Sequence, residues 1–188
     1  MTSPQPVISP SLPAAGYNPV LSDREATLPW FGLRTKSNHE KIAATVLSGK
    51  GYEQYLPTYK ARRRWSDRDV ITDRPLFPGY VFCRFDPKAR LPILTTPGVV
   101  SVIGFGSEPA PIDESEIEAV QAVLRSGLGA EPCPFLREGQ KIRIRSGALM
   151  GVEGILTKKK NEWRMIVSIE MLQRSIAVEI DRECLDRI

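Results

Sequence analysis

The chain has 188 residues, of which 41% are hydrophobic and 26% charged, and a formal net charge of +4. That is enough for one medium domain or two small ones with a packed core. No run approaches the roughly 18 uninterrupted apolar residues that cross a bilayer. The cysteines Cys83, Cys133 and Cys184 are far apart and form no CxxC pair, which excludes a disulfide framework or a zinc cluster and points to a reducing cytoplasm.

The N-terminal stretch "MTSPQPVISPSLPAAGYNPVLSDREATLP" lacks the cationic start and apolar block of a secretory signal. Its prolines and scarce apolar surface predict a disordered tail over residues 1–28. "LPWFGLRT" predicts a first strand. In "SNHEKIAATVLSGKG", Ser37 and Glu40 have capping-box spacing. Ile42, Ala43, Val46 and Leu47 recur at helical spacing before Gly49 and Gly51. "YEQYLPTYKA", "YVFCRF" and "GVVSVIGFG" read as strands, and "DESEIEAVQAVLRSG" as a helix capped by Asp113 with Ile117, Val120 and Leu124 on one face. Together these predict an α+β sandwich over residues 29–126, with helices packed on a sheet.

"SGLGAEPCP" is a Gly/Pro-rich break, and residues 127–135 are expected to be a flexible linker. Beyond it, "KIRIR" alternates, so that Ile142 and Ile144 point inward while Lys141, Arg143 and Arg145 point to water. "WRMIVSIEM" and "SIAVEI" add strands, with Trp163, Met165, Val167, Ile169 and Met171 on one side of the first. Residues 136–188 thus predict a small β-barrel that keeps its strands rather than refolding as helix.

Charge is distributed unevenly. From Trp30 to Pro75 ten Lys/Arg face five Asp/Glu, from Leu76 to Ser126 the balance is −2, and from Leu136 onward it is +3. Two basic regions around an acidic one fit nucleic-acid contact in two places, or in one place with another partner elsewhere; solvated surface is the plainer alternative.

"PLFPGYVFCRFDP", from Pro75, resembles the strand shared by the NusG, RfaH and UpxY transcription elongation factors. "WFGLRTKSNHEK" is similar to that family's first strand and helix start, "RRRWSDR" to UpxY-type paralogues, and "TPGVVSVIGFGSEPAPIDESEIEAV" to the segment through its second helix. "REGQKIRIRSGALMGVEGIL" with "VSIEMLQRSIAVEI" resembles a KOW domain of SH3-like barrel form. The resemblance covers Trp30 to Ile188. It implies an antitermination factor that binds RNA polymerase through Phe77, Tyr80 and Phe82, suppresses pausing or termination, and acts on particular operons, with polysaccharide operons as the family-level expectation. All three have a second reading as plain core facing the helices, against which the Tyr80 hydroxyl, suited to a wet rim, favours the interface.

The same resemblance implies that Arg62, Arg63, Arg64, Trp65, Arg68 and Arg74, with Arg34 and Lys36, contact the non-template DNA strand of the transcription bubble. Guanidinium groups pair with phosphate and stack on unpaired bases. The other reading is a solubilising hairpin neutralised by Asp67, Asp69 and Asp73. Where RfaH carries a His-Thr-Thr element that meets the far side of the polymerase channel, this chain offers Thr95 and Thr96 without the histidine. Leu149, Val152 and Leu172 replace the phenylalanines of the KOW face that meets ribosomal protein S10 or Rho. A monomer without cofactor, metal or membrane partner is expected. Nothing points to an enzyme: His39 is the sole histidine, Cys83 lies in an apolar strand, and no phosphate-cradling or metal-spaced motif occurs. A ribosome- or RNA-binding KOW protein without polymerase activity is the competing expectation.

Overall fold

The computed structural model describes residues 28–65, 68–136, 139–159, 162–181 and 184–187, of which 62–65, 68, 69, 159 and 185–187 are described as backbone alone. Apart from Leu28, the expected tail lies outside the described residues. The N-terminal part runs β1 (Trp30–Thr35), α1 (Glu40–Gly49), β2 (Gln54–Tyr55), β3 (Thr58–Trp65), β4 (Arg68–Pro75), β5 (Tyr80–Arg84) and a one-turn α2 (Leu91–Leu94). It continues with β6 (Val99–Val102), the short hairpin β7 (Gly104–Phe105) and β8 (Glu108–Pro109), β9 (Pro111–Ile112) and α3 (Glu114–Arg125). The sheet order is β2-β5-β1-β6, with β9 also paired to β1, and every pairing is antiparallel.

β1 is central, and "WFGL" is buried at four consecutive positions because both sheet faces are covered. Phe31, Leu33, Val81, Cys83 and Phe85 pack against Ala43, Ala44 and Leu47 of α1 and Ile93 of α2. Trp30, Tyr80 and Phe82 belong to the opposite face, with Ile112 and with Ile117, Val120 and Val123 of α3. The predicted α1 is present, but on a different footing. The capping box does not form: His39 takes the N-cap position without a side-chain bond to the helix. Glu40 is instead buried, and its carboxylate accepts the Gly79 amide at 2.8 Å, 39 residues away. A tertiary donor has displaced the local one. Ile42, expected on the inner face, is 49% exposed.

β3 and β4 form a separate two-stranded ladder from Thr58↔Pro75 to Trp65↔Arg68. The segment carrying the arginines is regular hairpin on both sides of Ser66 and Asp67, which lie outside the described residues. α3 starts as predicted, with the Asp113 carboxylate accepting the Ser115 amide at 2.8 Å. Its buried stripe is Ile117, Val120 and Val123, while Leu124 is half-buried.

The C-terminal part contains β10 (Ala130–Pro134), β11 (Gln140–Ile144), β12 (Glu153–Lys159), β13 (Glu162–Ile169), β14 (Arg174–Glu179) and β15 (Leu185–Arg187). They pair in the order β10-β14-β13-β12-β11-β15. The architecture is the α+β sandwich followed by a small barrel that the sequence predicts. Most of the stretch read as linker, however, is β10, paired with β14 from Ala130↔Val178 to Pro134↔Arg174. Its two prolines are tolerated because β10 is an edge strand. Ile142 and Ile144 are buried between exposed Lys141, Arg143 and Arg145, as alternation requires. β13 stops at Ile169, short of Met171, and Glu170–Leu172 form a 3-10 turn closed by Gln173 at φ 49°.

α3 is fastened to the sheet through Arg84. The guanidinium stacks 4.6 Å from the Trp30 ring centroid, pairs with the Glu114 carboxylate, and donates to the Leu28 carbonyl at 2.9 Å. Trp30 Nε1 donates to the same Glu114 carboxylate at 3.3 Å. Arg84→Met keeps the stem but removes these charge-assisted bonds. It is expected to lower unfolding free energy by about 2 kcal/mol, measured as a lower urea midpoint with unchanged m.

Candidate interaction surface

The sequence "FPGY" builds a tight turn that launches β5. The Tyr80 amide donates to the Phe77 carbonyl at 3.1 Å, Pro78 fills the second position, and Gly79 supplies φ 85° at the third, as a type II turn requires. Glu40 holds the Gly79 amide, and the Gly79 carbonyl accepts the Thr35 amide at 2.8 Å. The turn is thus locked to both α1 and the end of β1. From it, β5 pairs with β1 in the register Tyr80↔Arg34, Phe82↔Gly32 and Arg84↔Trp30.

An aromatic network results. Phe77 meets Phe82 edge-on with centroids 5.5 Å apart, Tyr55 lies 6.2 Å from Phe82, and Trp30 lies 6.5 Å from Tyr55. Burial pushes the Tyr55 phenol up to about 12, against the opposing charge of Arg125. Its hydroxyl is buried without a hydrogen-bond partner among the described residues.

The barrel meets the sheet face beside this network. Phe77, Phe82 and Trp30 share one buried cluster with Leu149, Val152, Ile169 and Leu172, and Tyr80 is packed half-buried against it. Leu172, in the turn after β13, sits over Gly32. The Glu170 amide beside it donates to the Glu116 carboxylate of α3 at 3.1 Å. Phe77 and Phe82, expected as partly exposed anchors, are fully buried. Leu149, Val152 and Leu172, expected as the open face of a flexibly connected barrel, are buried with them.

Cations ring this seal. Arg34, Lys36 and Arg74 are exposed, and Arg34 stands directly across from Tyr80. Arg74 pairs with Tyr59 at the root of the hairpin, followed by Lys60↔Asp73, whose side chains form an ion pair of 3.0 Å. Farther out, the backbones of Arg62, Arg63 and Arg64 pair with Ile71, Val70 and Asp69, and Trp65 with Arg68. The side chains of these five predicted contacts lie outside the described residues.

The threonines divide. Thr95 is exposed, but Thr96 is only 2% exposed, donating to the Pro92 carbonyl at 2.9 Å and accepting Lys50 Nζ at 2.8 Å. Thr96 is therefore a structural hydroxyl. Reading by residue type missed Trp30, Gly32, Tyr55 and Glu116. A glycine inside the apolar run "WFGL" was the available signal.

Cys83 is buried, and burial with the nearby Glu53 charge pushes its thiol up to about 12, so it is an inert core residue. Among the described residues, no three or more His, Cys, Asp or Glu side chains gather in a metal-binding arrangement. No described helix is long and apolar enough to cross a membrane.

Residues 28–121 match the family model "Transcription termination factor nusG". The Thermus thermophilus transcription termination/antitermination protein NusG is 28% identical over 178 residues, covering 82% of this chain and 96% of the relative. The NusG of Campylobacter jejuni is 24% identical over 171 residues, covering 82% and 94%. Among solved structures, one titled "Domain interaction in Thermotoga maritima NusG" matches with a TM-score of 0.51 at 20% identity, covering 85% of this chain and 97% of the other.

Glu116 makes the contact between barrel and α3 sensitive to rising pH. Burial raises its carboxyl pKa, as do the Glu170 and Asp113 charges, against the amide bond from Glu170, which lowers it. A raised pKa in the closed form means that the proton is held more tightly there. The closed contact is therefore strongest below the ordinary glutamate range and weakens as pH rises through the shifted value. Energy transfer between dyes on the two domains is expected to fall as pH rises through and above the ordinary glutamate range, and Glu116→Gln is expected to flatten that change.

Proposed function

Because the chain belongs to the NusG family of transcription termination and antitermination factors, we propose that the sheet face around Phe77, Tyr80 and Phe82 is its RNA polymerase-binding surface, held covered by its own KOW barrel. The observation that carries this reading is the single apolar cluster shared by the FPGY strand and the barrel face. Large aromatics packed around a shallow sheet make strong anchors once uncovered, since they bury much area with few rotors to freeze. Polymerase binding then requires the barrel to leave, and polymerase acts by its preference for the open form.

In that open form the separate β3–β4 hairpin carrying Arg62, Arg63, Arg64, Trp65, Arg68 and Arg74 reaches toward the non-template strand, together with Arg34 and Lys36 of the β1 end. Thr95 remains available for the far side of the channel. Release of the barrel also frees Leu149, Val152 and Leu172 for ribosomal protein S10 or Rho. The factor acts as a cytoplasmic monomer without enzymatic chemistry, suppressing pausing or termination on particular operons, with polysaccharide biosynthesis as the expected setting. The ladder of eight cross-strand pairs supports the hairpin as a stiff arm.

The full chain is expected to bind its cognate RNA polymerase in a pull-down and to shorten pauses in single-round transcription. Tyr80→Ala is expected to weaken binding about tenfold. Retention of full binding by that variant would remove the sheet face from the proposal. Charge reversal of Arg62, Arg63 and Arg64 to glutamate is expected to lower single-stranded DNA affinity. It should also flatten the slope of log affinity against log salt by about 2; an unchanged slope would deny the arm its role.

A further inference from the structure

At the β6 edge of the N-terminal sheet, large apolar side chains stand in water. Leu91 is 70% exposed, Leu94 38%, Val100 54% and Phe105 76%. Short connections hold them in one neighbourhood. α2 turns directly into β6, with the Val99 amide donating to the Thr96 carbonyl at 3.0 Å. Arg90, just ahead of Leu91, donates to the Ser107 carbonyl at 2.6 Å and so ties the β7–β8 hairpin, with Phe105, to the start of α2. β6 ends the sheet order, and its register with β1 skips Val100, a bulge that re-aims the side chain. The core side of these elements is already supplied by Ile93, Val99 and Val102. The exposed set is therefore a second, outward apolar surface, and such a surface marks a contact.

The chain carries a segment able to make that contact. Residues 1–27 lie ahead of the residues matched by the family model and outside the described residues. Nearest to the fold, their sequence gathers Tyr17, Val20 and Leu21 around Pro19, which favours extended backbone. The segment joins the body at Leu28, whose carbonyl accepts an Arg84 guanidinium N–H at 2.9 Å at the end of β5. From Arg84 to Leu91 the chain advances seven residues, including the 3-10 turn Pro87–Ala89, so Leu91 lies within about 25 Å of Arg84. Leu21 stands seven residues ahead of Leu28 and has the same reach, about 25 Å. The residues between carry Asp23 and Glu25, and the turn beside their path carries exposed Lys88. We infer that Tyr17, Val20 and Leu21 of the chain's own N-terminal segment dock on the surface formed by Leu91, Leu94, Val100 and Phe105. The Thr95 amide donates to the Leu91 carbonyl at 3.0 Å, so the docked segment lies beside Thr95 and limits access to it. The docking belongs to the chain alone and stands without the polymerase reading.

The test places the photoreactive analogue p-benzoylphenylalanine at Phe105 of the full chain and maps crosslinks by mass spectrometry at low and high protein concentration. A crosslink within one chain to residues 17–21 is expected, in equal yield at both concentrations. Val20→Asp with Leu21→Asp is expected to lower that yield about tenfold, because a carboxylate cannot be buried on an apolar surface. Leu91→Ser, on an exposed side chain, is expected to lower it severalfold, and circular dichroism of each variant is expected to match wild type. A crosslink between two chains that rises with concentration assigns the surface to a second copy and overturns the docking. Absence of a crosslink to the segment, or one that survives both changes undiminished, overturns it as well.

Discussion

A sheet with apolar side chains on both faces must be covered twice, and the second cover is what organises this molecule. α1 and α2 seal one face with Ala43, Ala44, Leu47 and Ile93. On the other, α3 is a single helix of 12 residues, fastened at its start by Glu114 to Arg84 and Trp30. It covers only part of a surface that includes Trp30, Tyr55, Phe77, Tyr80 and Phe82. The remainder falls to the barrel. The barrel is fastened on that side by Leu172 over Gly32 and by the Glu170–Glu116 bond.

The division of labour between apolar and charged groups is spatially clean. Apolar contact closes the two domains, while Arg34, Lys36 and Arg74 remain outside the seal. A closed form held chiefly by hydrophobic burial is insensitive to salt, whereas nucleic-acid contact through cations is strongly dependent on it. Within the family reading, the two activities therefore answer to different variables. Uncovering the sheet depends on a partner's apolar surface, and holding the strand depends on ionic conditions.

Much of the fold was legible because local and tertiary requirements agreed. The Asp113 cap and the alternation in "KIRIR" each need only near neighbours, and each is where the sequence places it. The misreadings occur where a distant group wins. Ser37 and Glu40 have the spacing of a capping box, but the buried amide of Gly79 is the better partner for Glu40. Thr96 belongs to a Thr-Thr pair that looks available, yet Lys50 and Pro92 claim its hydroxyl. "AEPCP" has linker composition, and only its place at the sheet edge allows it to be a strand. The candidate surface was legible as residue types on β5 and on the barrel. That one would cap the other could not be read from either segment, since each pattern describes an apolar face without saying what meets it.

The strand nature of β10 also fixes how far the two halves can part. Because Ala130 onward is bonded into the barrel, the only free chain between α3 and the barrel is Ser126 to Gly129. Four extended residues reach about 14 Å. A barrel on so short a leash never escapes into bulk solution. Once displaced, it hovers at an effective concentration on the order of millimolar beside the sheet it left. On the proposed reading, departure of the displacing partner is therefore answered by prompt reclosure, and the molecule resets itself after each engagement without outside help.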